Sequence, residues 1–349
     1  MKAAVLRGHS ITVEEVTDPT PRTGQILVRP LFTGICGSDL SLRKQMAQAE
    51  ASGDAAPPII IPGHEFTGEI VDLAGISDTG LKVGDTVTAL PFTTDENGPQ
   101  TIGISPGHTG GLATLSCVDI TRAFKVPDSV NPDLGALTEP LAVGLHASRL
   151  ANKNTGPNLV LGCGPVGLAV ILALKLEGRG LVLAADFSPE RRAVAESLGA
   201  DIVIDPSTDS PFEHWDDLKF RPHAMSPLLP REFKGLPAGV NIFECTGANG
   251  LLSQIVNSAP PHAHIVIAGV CPHDQPITPL EGIVRELCLQ FSFAYRPTEF
   301  SEALELVARH PDAVGKLITS RRPLAQTEAA FDSLASNPRE IKILINPNL

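Results

Sequence analysis

The chain has 349 residues, 42% of them hydrophobic and 19% charged, which is long enough for two domains with real cores and excludes wholesale disorder. A formal net charge of −12, with no long basic run, argues against nucleic acid or an anionic membrane as partner. The six cysteines lie far apart with no Cys-x-x-Cys, and Met1–Arg7 carries no signal-peptide hydrophobic region. The longest uncharged apolar run, Leu159 to Leu174, is broken by three glycines and a proline. These features predict a soluble cytoplasmic protein with reduced thiols and no membrane span.

From residue 1 to about 125 short β-rich runs alternate with Gly and Pro, as in Gln25–Pro30, Gly68–Leu73 and Gly84–Leu90. That spacing predicts a barrel or sandwich, with one helix over 40–52. From about residue 130 the pattern becomes strand, glycine turn, helix. Strands are predicted at Asn158–Leu161, Gly180–Asp186, Asp201–Asp205, Val240–Glu244 and His264–Ala268, with helices from Pro165 to Leu176 and from Pro189 towards Gly199. Such alternation means a parallel α/β sheet. Residues 206–238 hold six prolines and the only tryptophan, Trp215, and are read as an irregular excursion. A helix at Phe300–Ala308 and a strand at Ile341–Ile345 close the chain. No internal repeat is visible.

Gly162-Cys163-Gly164-Pro165-Val166-Gly167 fits G-x-G-x-x-G between a predicted strand and helix. Its glycines serve a tight turn, close approach of a pyrophosphate and close helix–strand packing, and the helix start offers free N–H groups to phosphate. A packing turn alone is the plain alternative. Asp186, 24 residues after Gly162, ends the next strand, where it can accept from a ribose hydroxyl and repel a 2′-phosphate. NAD is therefore expected over NADP. Arg191 joins the cofactor-binding candidates, and with Arg192 would clamp the phosphate of NADP were that the cofactor; solvating the helix is the commoner role of such a pair.

Cys36, His64, Glu65 and Glu139 offer thiolate, imidazole and carboxylate, a set that suits zinc. Singly, each has an ordinary reading: a small buried thiol, a hydrogen-bonded core histidine, a helix N-terminal acid.

The flanking residues decide more. Gly34-Ile35-Cys36-Gly37-Ser38-Asp39, Gly63-His64-Glu65, Glu139-Pro140-Leu141-Ala142-Val143, the glycine motif, Phe243–Gly247 and Ile341–Leu344 together resemble the zinc-dependent medium-chain dehydrogenases of the sorbitol, butanediol and threonine dehydrogenase branch, over nearly the whole chain. The resemblance implies a GroES-like β-barrel catalytic domain (1–130 and 292–349) and a Rossmann doubly wound parallel-sheet domain (131–291). It implies one catalytic zinc on Cys36, His64 and Glu139, with Glu65 beside it as an exchangeable ligand or a neighbour of the ligands. Ser38 would relay the substrate proton, and Asp39 would orient His64. Phe92 would line the substrate pocket, with Leu40 and Val270 as further candidates that core packing explains equally well.

A free alcohol ionises only near a pKa of roughly 16, and zinc can lower that of an oxygen it polarises towards about 7. A nicotinamide takes the hydride, so no protein nucleophile is needed. No basic anchor for an acidic substrate is evident, so a secondary alcohol, diol, polyol or ketone is expected, acted on by a homodimer or homotetramer of the kind usual among relatives. Two departures stand out. Ser41 occupies the position where many relatives place a relay histidine, with His108 as a candidate replacement. Between Leu90 and Val118 the only cysteine is Cys117, so the four-cysteine structural-zinc lobe is missing; Pro91, Pro99 and Pro106 are expected to help hold that loop. The rival readings are a zinc-independent quinone or enone reductase of the same fold and a catalytically silent nicotinamide-binding sensor.

Overall fold

Ala3 to Leu6 are fully buried, and this apolar stretch forms strand β1 (Lys2–Arg7), paired antiparallel with β2 (Ser10–Glu15) across a turn in which Gly8 holds φ +54°. The computed structural model describes residues 1–53, 58–153, 156–218 and 239–349. After the hairpin come β3 (Gln25–Gly34), α1 (Gly37–Ser52), β4 (Glu65–Asp72), β5 (Thr86–Ala89), β6 (Phe92–Asp95), β7 (Gly98–Thr101), β8 (Ser116–Asp119) and β9 (Ala123–Lys125). Helices α2 (Pro132–Gly135) and α3 (Thr138–Leu150) lead to β10 (Asn158–Leu161), α4 (Pro165–Leu176), β11 (Val182–Ala185), α5 (Pro189–Ser197) and β12 (Ile202–Ile204). Then follow β13 (Asn241–Glu244), α6 (Leu251–Ser258), β14 (His264–Ile267), α7 (Pro279–Arg285) and β15 (Cys288–Phe291). The chain closes through α8 (Pro297–Arg309), α9 (Pro311–Gly315), β16 (Ile318–Pro323), α10 (Thr327–Ser336) and β17 (Lys342–Asn346).

Two compact units result, Met1–Glu139 with Phe300–Leu349, and Pro140–Glu299. Both crossings fall inside helices, α3 and α8, and not at 130/131 and 291/292, because no Gly- or Pro-rich linker separates the units. Helix α1 starts at Gly37, earlier than the apolar spacing indicates, since Asp39 closes a capping box on Cys36.

In the first unit the sheet runs β16-β17-β3-β4-β5-β9, with β8 also on β3; only the β16–β17 pair is parallel. Val28, Phe66, Ile70, Val87 and Val118 form one core, and Leu6, Ile35, Met46, Phe331 and Ile343 another beneath α1 and α10. In the second unit the order is β12-β11-β10-β13-β14-β15, all parallel. That is the doubly wound order 3-2-1-4-5-6, whose ligand crevice opens where the order reverses, here between β10 and β13. The 206–218 part of the excursion is irregular, and Phe212, Trp215 and Leu218 cap this core; 219–238 lie outside the described residues.

The loop without structural-zinc cysteines is fastened by a carboxylate. The β6–β7 hairpin presents Asp95, whose Oδ1 accepts from the Asn97 N–H (2.8 Å) and Gln100 Nε2 (3.3 Å). Its Oδ2 accepts from His108 Nε2 (3.0 Å) and Arg22 Nη1 (3.3 Å). The Asn97 N–H foremost, then His108, Arg22 and Gln100, hold the Asp95 pKa at about 2 against the effect of burial. With an unfolded value near 3.9, the folded state gains stability from this charge above about pH 4 and loses it as the pH falls through about 2. In thermal melts across pH, Asp95→Asn is expected to lie a few degrees below the wild type at pH 6 to 8, with the two curves converging below pH 4. A gap independent of pH would contradict this.

Candidate active site

Cys36 ends the turn after β3 and caps α1, its N–H donating to Asp39 Oδ2 (2.8 Å). The other oxygen, Asp39 Oδ1, lies 3.5 Å from His64 Nδ1, and both atoms are buried with no other partner. On the opposite edge of the ring Ser38 Oγ is 3.3 Å from His64 Nε2. Asp39 thus faces one nitrogen and leaves the other towards Cys36 and Ser38, the tautomer-fixing arrangement of a metal-binding imidazole. Burial opposes a charge on His64, but Asp39 and Cys36 outweigh it, so the imidazole pKa is raised well above its ordinary value.

The backbone carrying His64 is clamped from behind. The N–H groups of Gly110, Gly111 and Leu112 donate to the carbonyls of Ile61 (2.9 Å), Gly63 (2.7 Å) and Pro62 (3.1 Å). Gly63 holds φ +100°, and a Cβ on Gly110 would overlap the Pro62 carbonyl, so this approach requires glycines on both sides.

One ligand atom each from Cys36, His64 and Glu65 lie within 4.8 Å of one another, the one such group of three or more potential ligands among the described residues. Glu65 starts β4, 1% exposed. Glu139, in the first turn of α3 and nearly buried, falls outside that 4.8 Å group. The donors fit a zinc ion in kind: a thiol, an imidazole oriented by a buried carboxylate, and acidic oxygens.

A residue that sequence reasoning missed completes the site. Lys342, on β17 and 1% exposed, donates to Glu65 Oε2 (2.6 Å), Glu65 Oε1 (2.8 Å) and the Ile35 carbonyl (3.0 Å). Burial disfavours the ammonium, but the charges of Glu65, Cys36 and Glu139 and the hydrogen bonds to Glu65 raise its pKa above the ordinary lysine value. The signal was a lone lysine in an otherwise apolar closing strand, Ile341-Lys342-Ile343-Leu344-Ile345. Such a lysine needs a carboxylate, but the sequence does not say which one.

In the second unit the glycine motif sits at the reversal point. Gly162 turns at φ +93° against Cys245 and Thr246, and a Cβ on Gly167 would overlap the Gly162 carbonyl. No atom comes within 4 Å of where a Gly164 Cβ would stand, so a phosphate has room at the start of α4, which opens with Pro165 and Val166. Asp186 Oδ2 accepts from the Cys163 N–H (2.7 Å) and Oδ1 from the Ser188 N–H (2.8 Å). The carboxylate therefore braces the glycine turn, and each oxygen keeps acceptor capacity for a ribose hydroxyl. Arg192 is committed to the carbonyls of Asp186 and Phe187 and to Asp205. Arg191, in the first turn of α5, donates its backbone N–H to the Ser188 cap.

The remaining candidates differ. Phe92 opens β6, half-buried. Leu40 packs against the core beneath α1, the plain packing role. Val270 stands on the loop after β14, 83% exposed. His108, the candidate proton exit, is turned to Asp95.

Residues 22–128 match the alcohol dehydrogenase GroES-like domain, and 165–309 match the zinc-binding dehydrogenase family. The chain is 31% identical to (R,R)-butanediol dehydrogenase of Bacillus subtilis, covering 100% of both, and 28% identical to sorbitol dehydrogenase of Gallus gallus, covering 95% of this chain and 92% of the relative. The crystal structure of a zinc-binding dehydrogenase from Sinorhizobium meliloti, bound to NADP, superposes with a TM-score of 0.79 at 27% identity, covering 99% of each chain.

Asp39→Asn is expected to weaken zinc binding about 10- to 100-fold by removing the carboxylate that fixes His64, read by competition with a chromogenic chelator. Unchanged affinity would show that the 3.5 Å approach of Asp39 to His64 does no orienting.

Proposed function

The chain belongs to the zinc-type medium-chain dehydrogenases, on their sorbitol and butanediol branch, and from that premise we propose that it transfers a hydride between NAD(H) and a secondary alcohol, diol or polyol and the matching ketone, using one zinc per chain. Its class of activity, oxidoreduction of an alcohol or polyol, comes with the family. The observation that carries the finer reading is the convergence of Cys36, His64 and Glu65 within 4.8 Å in one unit, together with a phosphate-accepting glycine turn in the other.

In this reading Cys36 and His64 hold the metal together with a carboxylate, from Glu139 as the resemblance implies, with Glu65, which stands beside Cys36 and His64, as the exchangeable ligand. The thiolate and the carboxylate together would match the charge of a divalent ion, which would displace the proton of His64 and take its imidazole as the neutral donor. Zinc bound there supplies Lewis acidity, and the nicotinamide accepts or returns the hydride. Ser38, beside His64 Nε2, takes the proton from the substrate hydroxyl and hands it outward, and returns it in the reductive direction. Phe92 gives the pocket an apolar wall, with Val270 as a second candidate. The glycine turn, Pro165 and Val166 position the pyrophosphate, and Asp186 receives the adenosine ribose. A 2′-phosphate would meet that carboxylate, and Arg192, one of the two arginines that could clamp it, is already engaged. That supports NAD, although the Sinorhizobium meliloti neighbour binds NADP.

The protein is proposed to act in the cytoplasm, in keeping with six free thiols; no helix among the described residues is long and apolar enough to cross a membrane. It is proposed to pair with a second copy along β15, the outermost strand of the parallel sheet, where Phe291, Phe293 and Ile283 are exposed.

Elemental analysis of dialysed protein is expected to give one zinc per chain, falling to near zero in Cys36→Ala, which loses turnover on a panel of secondary alcohols but still binds NADH. Two zinc ions, one surviving the mutation, would reveal a second site. Full activity in the metal-free variant would return the chain to the zinc-independent reductases. Asp186→Ala is expected to lower the preference for NAD over NADP about 10-fold or more in kcat/KM, equivalent to about 1.4 kcal/mol; a wild type that turns over NADP faster would overturn the cofactor assignment.

A further inference from the structure

Phe243-Glu244-Cys245-Thr246-Gly247 lies where β13 ends, at the reversal point of the parallel sheet, and its carboxylate has no part in the metal and glycine-turn sites above. Glu244 is 3% exposed. Its Oε1 accepts from the Thr246 N–H (2.7 Å), the Thr246 hydroxyl (2.6 Å) and the Gly247 N–H (2.8 Å). Its backbone carbonyl accepts from the N–H groups of Ala268 and Gly269, the two residues after β14 (2.9 Å each). With its proton given to Glu244, the Thr246 hydroxyl accepts from the Ala248 N–H (2.9 Å).

Three strand ends meet on this one residue. A Cβ on Gly162 would stand 2.5 Å from Thr246 Cγ2, so the threonine methyl backs the left-handed glycine after β10. A Cβ on Gly247 would overlap the Val270 carbonyl, and one on Gly269 would overlap the Gly247 nitrogen and Glu244 Oε2. The loops after β13 and β14 are thus pressed backbone on backbone, with the carboxylate against both. Gln275 adds a second tie, accepting from the Gly250 N–H (2.9 Å) and donating to the Ala248 carbonyl (3.1 Å).

We propose that Glu244 is a positioning residue for the nicotinamide half of the cofactor. The proposal rests on the nicotinamide reading above. A dinucleotide held by a doubly wound sheet lies across the reversal point, one nucleotide on each half. Asp186, after β11, belongs to the adenosine half, and β13, β14 and β15 make the other. The loops that Glu244 ties together stand at the C-terminal ends of β13 and β14, where the second nucleotide is received. Loops left free there would be ordered at the expense of affinity, and Glu244 orders them beforehand. A carboxylate suits the task, because one of its oxygens takes several short hydrogen bonds at once, each stronger than its neutral counterpart.

The test begins with the wild type, titrated with NADH by fluorescence and with AMP by calorimetry: no binding of NADH defeats the nicotinamide reading itself, whatever Glu244 does. With binding established, Glu244→Ala is expected to weaken NADH about 10-fold or more and to leave AMP within about 2-fold, because AMP engages only the Asp186 half. Glu244→Gln, which keeps an oxygen for the three loop donors, should restore NADH affinity to within about 3-fold of wild type. Thr246→Val keeps a methyl against Gly162 and loses the hydroxyl; it should weaken NADH about 3-fold or more with AMP again unchanged. That variant decides the matter if Glu244→Ala does not fold. A carboxylate that merely holds the fold would lower the melting temperature and move NADH and AMP alike, or move neither. Equal loss of both ligands, or NADH affinity unchanged, in Glu244→Ala or Thr246→Val overturns the proposal. So does a Glu244→Gln as weak as Glu244→Ala, because the effect would then belong to the charge and not to the hydrogen bonds that order the loop.

Discussion

The buried ion pair between Lys342 and Glu65 is the constraint around which the first unit is organised. It joins residues 277 apart in sequence and ties the last strand to β3 and β4, the strands that lead to Cys36 and follow His64 in the chain. A pair this deep is weak evidence for net stability, since desolvating both charges offsets most of their attraction. Removing one partner is another matter, costing on the order of 3–5 kcal/mol because the other is left buried and uncompensated. The pair therefore couples β17 to β4, since parting them would leave a charge buried and uncompensated. Gly34 follows from the same requirement, as the space a side chain would take is filled by the Glu65 carboxylate.

The two units meet different demands by different means. In the second, the candidate site is built from backbone: a left-handed glycine, a glycine pressed on a carbonyl, and a helix start with room in front of it. In the first it is built from side chains whose protonation and orientation must be fixed, so each polar group there has an assigned neighbour. Asp39 divides its oxygens between the Cys36 N–H and the ring of His64, and Lys342 divides its protons between Glu65 and Ile35. Buried polar clusters tolerate little else, because an unmatched donor or acceptor costs its full desolvation.

This difference explains what could be read from sequence. The glycine turn was legible because its geometry is local, and the strand and helix on either side follow from apolar runs of ordinary length. The sheet order and the pairing of Asp186 with the Cys163 N–H extend that local pattern. Cys36, His64 and Glu65 were legible through their flanking residues. Lys342 was not, because nothing near it in sequence is acidic in the right way; its partner is supplied by topology. Strand β15 was missed because Cys288-Leu289-Gln290-Phe291 is short and mixed, and being outermost it need not be buried on every side. The start of α1 was missed for a related reason: its first turn is fixed by a cap between Cys36 and Asp39, not by apolar spacing.

The loop over residues 91–111 shows how a metal can be replaced as a fastener without being copied. A structural zinc closes a lobe by four strong bonds from within. Here the closing group is a single carboxylate, and the partners that saturate it come from within the loop and from Arg22 outside it. What is fastened also differs. The Gly103 N–H donates to the carbonyl of His108 (2.9 Å), and the N–H groups of Gly110 and Gly111 donate to the carbonyls of Ile61 and Gly63, the backbone just before His64. The anchor at Asp95 and the candidate metal ligand at His64 are thus the two ends of one run of short contacts. Glycines allow that run to be backbone on backbone, where the geometry is stiff, so a clasp made only of hydrogen bonds and charge can hold the imidazole's backbone in register.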